Sequence, residues 1–203
     1  MNNNYIMNMN KEEYKEYQKK LVAEAIINYL KNNTTIALPD DVPDELLIKR
    51  GVFVTLRTKK GQRLRGCIGR PLPESPLASA LINSAISAAV SDPRFPSVKY
   101  KELKDLSFEI SVLSKPELIK VDSPEEYKSK IEIGKHGLIV ENDYTRGLLL
   151  PQVAPQYDWT PEEFLKHTCR KAGLSPDDWK KENTKVYSFY LYELIEGDFT
   201  PYL

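Results

Sequence analysis

The sequence predicts an α+β fold, a mostly antiparallel β-sheet flanked by helices, and three observations carry that reading. Gly51–Thr58 and residues 106–112 alternate apolar and polar side chains with a period of two, the pattern of strands with one buried face. Lys11–Asn32 instead repeats its apolar residues at helical spacing. Strands and helices also fail to follow one another in the strand–helix–strand order that a parallel sheet requires.

In chain order, Tyr14, Tyr17, Leu21, Val22, Ala25, Ile26, Tyr29 and Leu30 form one stripe of the first helix. Asn10 with Glu13 offers a capping box at its start. A Pro/Asp-rich loop occupies residues 38–43. The first strand then sets Val52, Val54 and Leu56 against Phe53, Thr55 and Arg57. Lys59-Lys60-Gly61-Gln62 is turn material, so residues 63–69 return as the second strand of a hairpin. Ser75-Pro76 reads as an N-cap and first-turn proline of a helix that reaches Val90. Its Ala80, Ala85, Ala88 and Ala89 permit close packing, and Asp92-Pro93-Arg94-Phe95-Pro96 ends it. Leu106, Phe108, Ile110 and Val112 alternate with Ser107, Glu109 and Ser111 as the next strand. Ser123-Pro124-Glu125-Glu126 opens a short helix. Residues 134–137 and 143–147 are turn-like around strands at 138–142 and 148–150. Thr160-Pro161-Glu162-Glu163 is a capping-box start for a helix ending at Gly173, and residues 185–196 form the last strand.

At 203 residues the chain is long enough for a substantial core, as one large domain or two small ones. Its 41% hydrophobic and 29% charged content is an ordinary globular mixture. The 29 basic and 29 acidic residues cancel, which excludes a global basic field for nucleic acid and leaves only a local patch. No apolar run approaches the ~20 residues of a membrane span. Residues 1–10 are Asn-rich, have neither the basic nor the apolar region of a signal peptide, and are expected to be disordered, with residues 11–203 as a single domain. Two cysteines suit a reducing compartment, and the expectation is a cytoplasmic protein without a membrane association.

The residues richest in chemistry are Leu64-Arg65-Gly66-Cys67-Ile68-Gly69. In an extended strand Arg65 and Cys67 project from the same face, and a neighbouring guanidinium favours a thiolate. The competing reading is a buried, inert thiol that acts as a small hydrophobe. Gly66 and Gly69 allow close approach of a ligand or of another backbone. Arg65 either grips an anion through its fork of donors or forms a structural ion pair, with Glu109 or Asp92 as partner. Arg94 carries the same two readings, whereas Asp92 ends its helix and starts a turn. Glu109, between Ser107 and Ser111, faces a cleft or solvent. His136, in a Gly-flanked turn, is a general acid/base or a merely exposed side chain. Cys67, His136, His167 and Cys169 lack the close pairing of a zinc site, and Cys169 falls with Leu165 and Ala172 on an apolar helix face, so no metal is expected. GxxxxGK[ST], GxGxxG, GxSxG and HExxH are all absent. The twelve tyrosines fit packing better than base stacking.

Several blocks stand in order along the chain. They are Gly51-Val52-Phe53-Val54-Thr55-Leu56, the LRGCIG hexapeptide, Asp92-Pro93-Arg94-Phe95, Phe108-Glu109-Ile110-Ser111-Val112-Leu113-Ser114 and Pro116-Glu117. Gly134-x-x-Gly137, Gly147-x-Leu149-Leu150-Pro151-Gln152-Val153, Trp159, Glu163-Phe164-Leu165, Cys169-x-Lys171-Ala172-Gly173-Leu174 and Trp179 complete the set. Over residues 15–200 the chain resembles the AMMECR domain family in its stand-alone, prokaryotic or archaeal form. The resemblance implies two subdomains, the larger holding the sheet, with LRGCIG near a cleft between them. It also draws Arg146 and Gln152 into the candidate set, and it implies protein partners of radical-SAM or dioxygenase-like type and a link to nucleotide or RNA-base modification.

Two functions of different class follow. In the first the chain is an enzyme or enzyme component acting on an anionic, nucleotide- or RNA-like substrate. Cys67 is then nucleophile or thiol donor, with Arg65, Arg94 and Arg146 as anion clamps. Gly66 and Gly69 admit the ligand, and His136 or Glu109 transfers the proton. In the second the chain is a non-catalytic binding or adaptor module, and the hexapeptide is structural. Sequence-tolerant RNA binding is a third idea that the net charge does not support. No cofactor and no oligomeric state is read from the sequence.

Overall fold

Asn10 opens the described chain, residues 10–203 of a computed structural model, and it does so as a helix cap. Its side chain accepts the Glu13 N–H at 3.0 Å while Glu13 accepts the Asn10 N–H at 2.9 Å, the capping box read from the sequence. The remainder of the Asn-rich start, for which disorder is expected, lies outside the described residues. Helix α1 (Lys11–Asn32) buries Leu21, Val22, Ala25 and Ile26 and ends at Asn33, whose left-handed φ of 54° turns its N–H back to Tyr29 O.

The chain divides into two compact units, one formed by the stretch up to Val112 with Glu193–Leu203, the other by Leu113–Tyr192. In the first unit, α2 (Asp44–Leu47) leads into β1 (Gly51–Thr58) and β2 (Leu64–Arg70), followed by α3 (Leu77–Val90) and β3 (Leu106–Leu113). The strand order is β2-β1-β3, and then the end of the last strand, β7 (Lys185–Asp198). Val52, Val54 and Leu56 of β1 join Leu77, Leu81, Ala85 and Ala88 of α3 and the buried stripe of α1 in one core.

α3 begins one residue later than the Ser-Pro signal predicts. Pro76 is its N-cap, without a side-chain cap, because an isolated antiparallel bridge to Lys49 holds Pro76 extended and the Leu77 N–H is taken by Ile48 O at 3.0 Å. The small residues of α3 let it lie against the backbone of β2. A Cβ built on Gly66 would sit 2.1 Å from Ala88 O.

The second unit contains β4 (Glu117–Leu118), α4 (Tyr127–Lys130), β5 (His136–Glu141), β6 (Arg146–Leu149), α5 (Val153–Gln156) and α6 (Pro161–Lys171). β5 is antiparallel to both β6 and β7, and β4 adds to β7. α6 starts with the Thr160–Glu163 capping box and buries Phe164, Leu165 and Cys169 among Leu138, Val140, Val186 and Trp179. The device seen under α3 recurs here, since a Cβ on Gly147 would lie 2.2 Å from Ala172 N. Both units are antiparallel sheet flanked by helices, the α+β class that the sequence predicts.

The turn assignments of His136 and Arg146 need correction, because each is the first residue of a strand, β5 and β6 respectively. The cross-strand pairs His136↔Tyr190 and Glu141↔Arg146 draw both residues into the ladder.

Candidate functional site

Among the described residues β2 is an edge strand, paired only with β1. The register runs Thr55↔Cys67 and Leu56↔Gly66 and then jumps to Arg57↔Leu64. Arg65 is therefore the extra residue of a β-bulge, and a bulge re-aims its side chain. This overturns the simple alternation that puts Arg65 and Cys67 side by side. The Arg65 guanidinium goes instead to Glu102, with Nε and Nη2 each 3.2 Å from Oε2, and Nη1 donates to Pro96 O at 2.8 Å. Its side chain is only 14% exposed. Arg65 is ion-paired, with Glu102 in place of the expected Glu109 or Asp92.

Cys67 points its own N–H and C=O away from β1. The N–H donates to Asp92 Oδ2 at 2.8 Å, and the C=O accepts from Arg94 Nη2 at 3.3 Å. Asp92 in turn accepts from the Arg94 N–H at 3.1 Å, from Nε at 2.9 Å and from Nη2 at 2.7 Å. One acceptor and one donor, locked together, thus meet both free backbone groups of the edge residue, as a neighbouring strand would. Asp92 is 4% exposed. The Arg94 side-chain hydrogen bonds, with help from the Cys67 and Arg94 N–H groups against the opposing effect of burial, hold its carboxyl far below the usual carboxylate range. Asp92 does more than end a helix; it clamps the hexapeptide.

The two glycines of LRGCIG are filled from inside the protein. Gly66 lies under Ala88 O, and the Phe53 ring covers Gly69, where an added Cβ would come within 2.3 Å of Phe53 Cδ1. The Cys67 thiol is half-buried, beside the Thr55 hydroxyl, with Oγ1 and Sγ 3.3 Å apart, and within reach of the Arg94 guanidinium.

The remaining candidates have their own partners. Glu109 accepts from the Ser111 hydroxyl at 3.4 Å and lines an open depression of about 750 Å³ with Arg57, Glu196 and Lys19. In the second unit His136 Nδ1 accepts the Glu132 N–H at 3.1 Å. Arg146 is ion-paired across the hairpin to Glu141. Gln152 Oε1 is buried without a partner among the described residues. Cys169, fully buried, has its thiol pushed up to about 11 by burial, as its apolar helix face suggests. Among the described residues no group of three or more His, Cys, Asp or Glu could hold a metal ion, and no helix is long and apolar enough to cross a membrane. Sequence reasoning missed Glu102, Thr55 and the Phe53 lid. Only Thr55 and Phe53 had a local signal, as the residues facing Cys67 and Gly69 across a short hairpin.

Comparison with known proteins gives a consistent picture. The AMMECR1 family model matches residues 19–193. A protein from Methanothermobacter thermautotrophicus is 54% identical over 170 residues, which are 84% of this chain and 88% of the relative. One from Pyrococcus furiosus is 52% identical over 192 residues, 93% of this chain and 90% of the relative. The crystal structure of an uncharacterized protein from Pyrococcus horikoshii superposes with a TM-score of 0.84 at 50% identity, covering 91% of each chain.

Proposed function

We propose, for a chain that belongs to the AMMECR1 family, that it works as a non-catalytic binding module whose LRGCIG segment is a structural clip. One observation carries the reading. The Arg65 side chain and the Cys67 backbone, which leave the β1–β2 ladder, end on the protein itself, Arg65 on Glu102 and Pro96, the Cys67 N–H and C=O on Asp92 and Arg94. A catalytic thiol needs a base or cation that acts on its sulfur. The Arg65 guanidinium is spent on Glu102, a threonine hydroxyl lies beside Cys67 Sγ, and the Arg94 guanidinium, which also reaches the thiol, is locked in its ion pair with Asp92.

Competitive alkylation tests this. Native protein and glutathione are treated together with iodoacetamide at neutral pH, and the modified Cys67 peptide is followed by mass spectrometry. The module reading expects Cys67 to react no faster than glutathione, and Cys67→Ala to fold with little change in melting temperature. A Cys67 rate above that of glutathione by about tenfold or more would mark an activated nucleophile and restore the enzymatic reading.

A further inference from the structure

Residues 46–73 contain no Asp or Glu and eight Lys or Arg, in a chain of zero net charge. Five of those cations (Arg57, Lys59, Lys60, Arg63 and Arg65) fall within the tip of the β1–β2 hairpin and its flanks.

The tip is built so that its carbonyls turn inward. Lys60 O accepts from the Thr58 hydroxyl at 2.9 Å, Lys59 O from Gln62 Nε2 at 3.2 Å, Gln62 O from Arg57 Nη1 at 3.4 Å, and Arg63 O from the Thr58 N–H at 2.9 Å. Gly61 and Gln62, with φ of 80° and 49°, shape the turn. Four acceptors that would repel an anion are thereby occupied. Two of the cations are neutralised, Lys59 by Asp198 and Arg65 by Glu102. Lys60 and Arg63 are exposed, and neither has an ion-pair partner among the described residues. Both line a depression of about 630 Å³ with Lys59, Arg65, Glu102 and Asp105. Glu102 is spent on Arg65, so two uncompensated cations face one carboxylate, Asp105. The volume is that of a small-molecule site, about 300–1,000 Å³.

We propose that this tip binds the adjacent phosphoryl groups of a small molecule, with Lys60 and Arg63 as its free cations. The proposal rests on the binding-module reading and names the ligand chemistry that such a module would take. The recognition is by charge and charge-assisted hydrogen bonds to phosphate oxygens.

The test titrates the full chain with inorganic tripolyphosphate at low ionic strength, read by calorimetry and by backbone amide NMR shifts. Saturable binding is expected, with the largest shifts over residues 60–63 and affinity that weakens as salt is added. Lys60→Glu combined with Arg63→Glu should lower affinity by about tenfold or more at an unchanged melting temperature, because neither side chain supports the fold. Absence of saturable binding overturns the proposal, as does binding that survives the double reversal. Binding confined to single-stranded oligonucleotides, tighter with increasing length, also overturns it in favour of a strand-tracking surface. A fast-reacting Cys67 would sink the module reading while leaving the titration intact; an inert Cys67 with no titration would sink the phosphoryl site alone.

Discussion

Asp92→Asn removes one charge and replaces one acceptor oxygen by an NH2 donor in a group that is 4% exposed and accepts four hydrogen bonds. The new amide can keep Oδ1 toward the Arg94 N–H and Nε, at 3.1 and 2.9 Å in the native chain. Its NH2 must then face the Cys67 N–H and Arg94 Nη2, donor against donor, where Oδ2 stood at 2.8 and 2.7 Å. A buried N–H left unpaired costs about 1–3 kcal/mol. The Arg94 side chain is 54% exposed, so water recovers much of its bond and the ion pair adds about 1 kcal/mol or less. The total is about 3 kcal/mol, or about 6–12 °C in melting temperature for a chain of this size. Urea unfolding at neutral pH measures it, and amide exchange at Cys67 should quicken in the variant. The wild type supplies a second readout. Because the folded Asp92 carboxyl binds its proton more weakly than the unfolded one, its stabilisation is complete above the unfolded value of ~3.9 and fades as pH falls from there toward the folded value. Asp92→Asn should flatten that acid limb. A variant within about 0.5 kcal/mol of wild type, the spread of ordinary surface substitutions, with an unaltered acid limb, would refute the clip.

Other outcomes follow from the same geometry. Gly66→Ala should destabilise by about 3 kcal/mol or more, since its Cβ would lie 2.1 Å from Ala88 O and overpacking against a backbone leaves little room to relax. Gly61→Ala, at φ +80° with nothing among the described residues within 4 Å, should lose only about 1–2 kcal/mol; a reversed order in urea titrations would contradict the packing. Native protein treated with excess thiol reagent should take up one label, at Cys67, and a second only on unfolding, because Cys169 is buried with its thiol pushed up to about 11; early labelling of Cys169 would place it wrongly. The His167 ring stacks on Trp159 at 3.8 Å, and burial, then Arg170, lower its pKa. Protonation thus disfavours the folded state, and its contribution to stability is lost as pH drops below the unfolded value of ~6.5. An NMR titration of His167 with a midpoint at or above that value would be the contrary result.

Much of the fold was legible because its signals are local. Asn10 and Thr160 act as caps within three residues of their partners, and the strands announced themselves by alternation that a single buried face imposes. The site was less legible. The β-bulge that lifts Arg65 out of line depends on how two strands and a turn fit together, and no local composition specifies it. Glu102 lies 37 residues from Arg65 on a short 3-10 helix, Tyr100–Asp105, so only the fold brings them together. Asp92 was visible as a helix stop, yet its burial against an edge strand comes from the path of the chain after α3.

The hexapeptide thus separates into residues whose identity the packing dictates and one whose identity it does not. Gly66 must be glycine because α3 rests on it, Gly69 because Phe53 covers it, and Arg65 because a flat donor fork is what meets Glu102 and Pro96 together. Cys67 contributes its backbone to the Asp92–Arg94 clamp, and any residue but proline carries that N–H. Its side chain meets Thr55 across the hairpin and the Arg94 guanidinium, neighbours that serine would satisfy as well. The structural reading is therefore most exposed at the sulfur. If Cys67→Ser keeps both the fold and the tripolyphosphate titration, the thiol is dispensable and the clip accounts for the segment; if it abolishes binding in a chain that still folds, the sulfur has a task that the Asp92–Arg94 clamp does not explain.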